Sequence, residues 1–168
     1  MKEKNHLPLL GVGPVIVAGQ VLITVIGIIV SYRGYLNAGK IALLNIPLKV
    51  VGIALMAFGF YLNYSAKHKS KLFERVAENK LITTGVYSIV RNPVYSAVLL
   101  ACAGAVCIAN NLLLFFIPVI CWLYMTVFLK LTEEKWLTDL YGQEYIEYCK
   151  HVNRCIPWFP KKRASGRR

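Results

Sequence analysis

From Leu7 to Tyr32 the chain carries no charged residue. An uninterrupted run longer than the roughly 20 residues a helix needs to cross a bilayer leaves few folds open. Three more runs follow. One extends from Ile41 to about Ala66, with Pro47 and Lys49 near its beginning, one from Pro93 to Ala109, and one from Leu112 to Leu129. The Asn110-Asn111 pair between the last two reads as a tight turn, so they form a helical hairpin whose first arm is short enough to tilt or dip incompletely. Of the 168 residues, 57% are hydrophobic and only 17% charged. A soluble domain of this size could not hide that surface. The leading run is too long for a cleaved signal and reads as a retained span.

The expected fold is therefore all-α: an integral membrane bundle of about four transmembrane helices, with the hairpin and a cytoplasmic C-terminal helix forming a pocket. Two units are expected, the two N-terminal helices over 1–66 and a core over 67–168. Basic residues orient the bundle. Seventeen of the 20 lysines and arginines lie in the N-terminal segment, in the loop 67–92 or beyond residue 129, against Arg33, Lys40 and Lys49 elsewhere. By the positive-inside rule both termini are cytoplasmic. All eight acidic residues fall on that same side. The formal charge of +12 thus marks a membrane face, and no nucleic-acid module accompanies it. Five cysteines, three of them in apolar runs, do not form a disulfide framework. Cys149, His151 and Cys155 lack the paired spacing of a zinc site, and no metal is expected.

Two cytoplasmic segments carry candidate chemistry. The stretch from Glu78 to Tyr95 precedes the third run, with Gly85 suited to a turn and Pro93 to the first turn of a helix. A helix start at the membrane favours an anion such as a carboxylate, although a basic loop touching head groups would look the same. The second segment, Lys130-Leu-Thr-Glu-Glu-Lys-Trp136, follows the fourth run. Adjacent carboxylates at a membrane exit suit a cationic ligand. They equally suit a solvated turn in which Lys130 and Glu134 pair at i,i+4. Further on, Tyr141, Tyr145 and Tyr148 share one face of a helix by their spacing, and the segment Val152 to Pro160 reads as extended and apolar.

The order of these elements is Leu-Ile-x-x-Gly-x-Tyr, Arg-x-Pro-x-Tyr, a hairpin, Glu-Glu, then Tyr-Gly-x-Glu-Tyr-x-x-Tyr. Over roughly residues 75–160 it resembles the isoprenylcysteine carboxyl methyltransferases and related phospholipid methyltransferases. The resemblance implies S-adenosylmethionine as cofactor and methyl transfer to a lipophilic acceptor, a membrane lipid or prenylated small molecule, at the cytoplasmic face. By motif position it implies cofactor contacts at Asn79, Lys80, Leu81, Ile82, Tyr87, Arg91, Asn92, Pro93, Val94, Tyr95 and Glu133. Lys130 and Glu134 are then assigned to the reaction itself. Two positions depart from the pattern. Asn92 stands where the family has histidine, and it can hydrogen-bond but not carry charge. Leu129 stands where the carboxyl methyltransferases have an arginine for the substrate carboxylate, and the neighbouring Lys130 is no bidentate substitute. Other functions open to such a chain are a non-catalytic lipid-binding scaffold and an NADPH-dependent membrane reductase. The oligomeric state is left open.

Overall fold

The structure, a computed structural model, describes residues 11–70 and 80–158. Within them it is all-helical, and three helices are long and apolar enough to cross a membrane, over Gly13–Tyr32, Ala42–Lys69 and Leu112–Tyr141. Helix α1 spans Gly13–Tyr32, with Pro14 in its first turn, where a missing N–H costs nothing. Helix α2 spans Asn45–Tyr64 and runs on through a π-helical turn at Ser65–Lys69. Helix α3, Pro93–Ile108, is the shorter apolar helix. At 1.5 Å per residue its 16 residues reach about 24 Å, less than a hydrocarbon core of about 30 Å.

The hairpin forms where the asparagine pair falls. Asn110 takes a left-handed conformation, and the fully buried Asn111 ties the turn to the rest of the bundle. Its Nδ2 donates to Ser31 Oγ at 2.8 Å and to the Leu36 carbonyl at 2.9 Å, while its Oδ1 accepts from the Leu113 N–H. Helix α4 then covers Phe116–Leu131, followed by α5, Glu133–Tyr141, and α6, Gln143–His151. Thr132 separates α4 from α5 with φ −127° and ψ −85°. Gly142 separates α5 from α6 with φ +57°, a conformation that glycine takes without a Cβ clash. The tyrosine face expected on one continuous helix is therefore split between two. It still converges: Tyr145, Tyr148 and Val152 form a buried cluster against which Tyr141, Leu137 and Leu81 pack.

Helix α2 lies along α3 at very short range. A Cβ on Gly104 would stand 2.5 Å from the Gly52 carbonyl oxygen, and one on Gly59 would stand 2.7 Å from the Ala97 carbonyl. Close backbone approach of this kind replaces the hydrophobic drive that lipid cannot supply. Gly104→Ala should cost about 1–3 kcal/mol through overpacking. A thermal melt in detergent reads it, and an unchanged midpoint would show that the two helices do not meet at this distance. Helix α1 packs on α3 and α4 through two buried clusters. Ile16, Met125, Leu129 and Cys155 fill one end of the bundle, and Val106, Leu114, Ile117 and Cys121 the other. The first cluster supports the candidate site.

Candidate functional site

The start of α3, the start of α5 and the chain after α6 meet at one end of the bundle. Tyr95, in the first turn of α3, donates its hydroxyl to Glu133 Oε1, the first residue of α5. Tyr95 packs against the cluster of Ile16, Met125, Leu129 and Cys155, and its hydroxyl lies beside Gly13. The break at Thr132 sets this geometry. Had α4 continued, Glu133 and Glu134 would follow Lys130 on one helix surface. Instead Thr132 Oγ1 bonds back to the Phe128 carbonyl at 2.6 Å, and the following helix leaves in a new direction.

Glu134 takes different partners from its neighbour. Arg154 grips it with two parallel bonds, Nε to Oε1 at 2.6 Å and Nη2 to Oε2 at 2.8 Å. Arg91 adds a contact from Nη1 to Oε1 at 3.1 Å. The i,i+4 pair of Lys130 with Glu134 is replaced by these two guanidiniums, because the helix break takes the two residues out of register. Lys130 is exposed. The Arg91 side chain is only 8% exposed, and its Nη1 also meets the Tyr145 hydroxyl and the Cys149 thiol. Its Nε is buried with no partner among the described residues. Two guanidiniums facing one carboxylate leave an excess of positive charge here.

The extended segment after α6 is a strap laid parallel to residues 89–92. The N–H of Arg91 donates to the Asn153 carbonyl at 2.9 Å, that of Asn92 to Arg154 at 3.2 Å, and that of Trp158 to Ile89 at 3.3 Å. Side chains add to it. Asn92 Nδ2 donates to the Arg154 carbonyl at 3.1 Å, and Ser96 Oγ donates to that of Cys155 at 2.6 Å. Asn92 therefore directs its side-chain donor to the strap. Ser96 and Arg154 are the residues that reading the sequence missed, and Tyr148 and Cys155 were read only as part of a packing face and as a cysteine unsuited to zinc. An arginine in the otherwise apolar Val152 to Pro160 was the one available signal, since such a charge near a membrane calls for a partner.

Most of the other expected cofactor positions gather around this junction. Ile82, Val86 and Tyr87 are buried against Leu62, Ala66 and Ala97, with Val94 packed beside them. The Tyr87 carbonyl accepts the Tyr148 hydroxyl at 2.5 Å. Leu81 packs on the Tyr145–Tyr148 cluster, Pro93 is buried and Lys80 is exposed. Asn79 lies outside the described residues. Burial pushes the phenols of Tyr145 and Tyr148 well above the ordinary tyrosine range, against the pull of Arg91. Burial, then the charge of Glu133, does the same to Tyr87. The Cys155 thiol is pushed up to about 11 by burial. These groups are neutral near pH 7, so none of them is poised to act as a base. Among the described residues no group of three or more His, Cys, Asp or Glu could hold a metal ion.

Residues 48–144, more than half of the chain, match a family model described as phospholipid methyltransferase. Protein-S-isoprenylcysteine O-methyltransferase B of Arabidopsis thaliana is 32% identical over 85 residues. That match covers 50% of this chain and 43% of the plant protein, so the chain spans less than half of its curated relative. No solved structure matches the chain.

Proposed function

The chain belongs to the phospholipid methyltransferase family, and on that premise we propose that it methylates a lipophilic acceptor at the cytoplasmic face of its membrane, with S-adenosylmethionine as methyl donor. The reaction is of the kind that phospholipid and isoprenylcysteine methyltransferases share, transfer of a methyl group to a nucleophile carried by a lipid. In this reading the bundle crosses the bilayer four times, α3 included, and both termini are cytoplasmic, in keeping with the distribution of basic residues. The observation that carries the proposal is the Tyr95–Glu133 pair, a hydrogen-bonded carboxylate at the junction of two helix starts and an apolar cluster.

The residues present fit the donor's charges. Glu133 suits a cationic sulfonium or ammonium, with Tyr95 fixing the carboxylate and offering a ring face to the cation. The Nε of Arg91, buried without a partner among the described residues, suits a carboxylate. The donor supplies an activated methyl group on a positively charged sulfur. The chain's part is alignment and exclusion of water. Glu134 is held by two guanidiniums and Lys130 is exposed in the last turn of α4, across the helix break from it, so neither is assigned the reaction here. The tyrosines stay protonated. An acceptor that must lose a proton would therefore pass it to Glu133, whereas a carboxylate or thiolate needs no base.

Purified protein incubated with labelled S-adenosylmethionine and a membrane lipid extract should place label in the lipid fraction, and S-adenosylhomocysteine should raise its melting temperature. Stabilisation by NADPH instead, with no labelled lipid, would favour the reductase.

A further inference from the structure

Beneath the Tyr95–Glu133 pair, the inward face of α1 carries Ile16, Gln20 and Thr24, all buried and one turn apart. Gln20 is 0% exposed, yet neither Nε2 nor Oε1 of its side chain has a partner among the described residues. The polar neighbours turn elsewhere. Thr24 Oγ1 donates to the Gln20 main-chain carbonyl at 2.8 Å, and the thiols of Cys102 and Cys121 approach the same oxygen at 3.7 and 3.8 Å. An orphan amide within a bilayer has no water to bond and is costly to keep. Leucine would occupy the same place without that cost. The position calls for a polar group that the described residues do not supply.

Its depth indicates which. A Cβ on Gly13 would stand 2.9 Å from the Tyr95 hydroxyl, and Gln20 follows seven residues later on the same helix, about 10 Å along the axis. Helical side chains lean toward the helix N-terminus, here the end that holds the site, so the amide itself lies closer. The surroundings on that path, Ile16, Leu99, Met125 and Leu129, are apolar. We propose that Gln20 is a subsite for the acceptor lipid. Its amide N–H donates to an ester carbonyl of a glycerolipid whose head group stands at Tyr95 and Glu133. A glycerolipid carries such carbonyls between head and tails, where a prenyl chain offers no acceptor. No solvent-sized space adjoins the amide. The lipid reaches it by parting α1 from α3 and α4, from within the bilayer. The placement of the head rests on the methyl-transfer reading above, but the hydrogen bond at Gln20 does not.

The test compares wild type, Gln20→Leu and Gln20→Met, the last being unbranched and close to glutamine in length. Each is titrated in detergent with diester and with diether glycerophosphoethanolamine. Binding is read by native mass spectrometry, methyl transfer and melting temperature separately. Wild type should hold the diester about tenfold more tightly, the scale of one hydrogen bond. Both variants should bind the two lipids alike, at the diether level, with melting temperatures equal to or above wild type. Equal binding of the two lipids by wild type overturns the proposal, and so does a preference that survives in either folded variant. An ester preference without methyl transfer would sink the proposed reaction and leave the subsite standing. Transfer without the preference would do the reverse.

Discussion

Replacing Glu133 with glutamine should lower kcat/KM for methyl transfer roughly 100-fold, about 2.7 kcal/mol, the scale of a lost charge-assisted hydrogen bond. The substitution keeps the shape of the side chain and an oxygen for the Tyr95 hydroxyl. It removes only the negative charge, so the fold should survive and the loss should fall on whatever cation the site holds. Binding separates the two cations of the donor. S-adenosylhomocysteine has the ammonium group but not the charged sulfur. If Glu133 faces the sulfur, Glu133→Gln weakens S-adenosylmethionine far more than S-adenosylhomocysteine. If it faces the ammonium group, both fall together. Tyr95→Phe should cost about tenfold, because the carboxylate keeps its charge and loses one donor. Lys130→Ala, on an exposed side chain in the last turn of α4, should stay within about twofold. Retention of half the wild-type rate by Glu133→Gln would exclude this carboxylate from the reaction.

The second large effect concerns stability. Arg154→Ala should cost about 2–4 kcal/mol, since it removes both bonds of a bidentate pair and unlatches the strap. Glu134→Ala should cost more. It leaves the guanidiniums of Arg91 and Arg154 with no carboxylate between them, and the Arg91 side chain is only 8% exposed. Removing both Glu134 and Arg154 should cost less than the sum of the single changes, because the surviving Arg91 then meets no second cation. Arg154→Lys should not restore the loss, since an ammonium cannot reproduce the two parallel bonds. Thermal unfolding in detergent reads all four proteins. Equal melting temperatures for Arg154→Ala and wild type would show that the strap is held by its main chain alone.

Three of the hydrophobic spans were legible because lipid imposes a single demand, an unbroken apolar helix, and those runs answer it within the chain. The Asn110–Asn111 turn was legible for a similar local reason, as asparagine tolerates the left-handed backbone that Asn110 adopts. The pairing of Glu134 was not. Its apparent partner Lys130 lies four residues away, and the break at Thr132 had to be recognised to discard it. Threonine before two glutamates is a helix-start signature, so that boundary was present in the sequence and unused. Gly142 was a second such marker, dividing the tyrosine face. The contacts of Arg91 and Asn92 with the strap were beyond local reasoning, because main-chain bonds between segments some 60 residues apart leave no periodic trace. Tyr95 and Glu133 were both expected at the site, and the structure adds the hydrogen bond between them.

The strap also sets a schedule. Asn92 and the carbonyl it bonds are 62 residues apart. A ribosome working at about 5–20 residues per second needs roughly 3–12 s to cover that distance. During that interval α3 and α4 are made, and α4 reaches the bilayer, while Arg91 and Asn92 wait without the main-chain partners they finally hold. Insertion and completion of the site are thus successive events. A nascent chain halted before residue 153 should already sit in the membrane, with the junction still open.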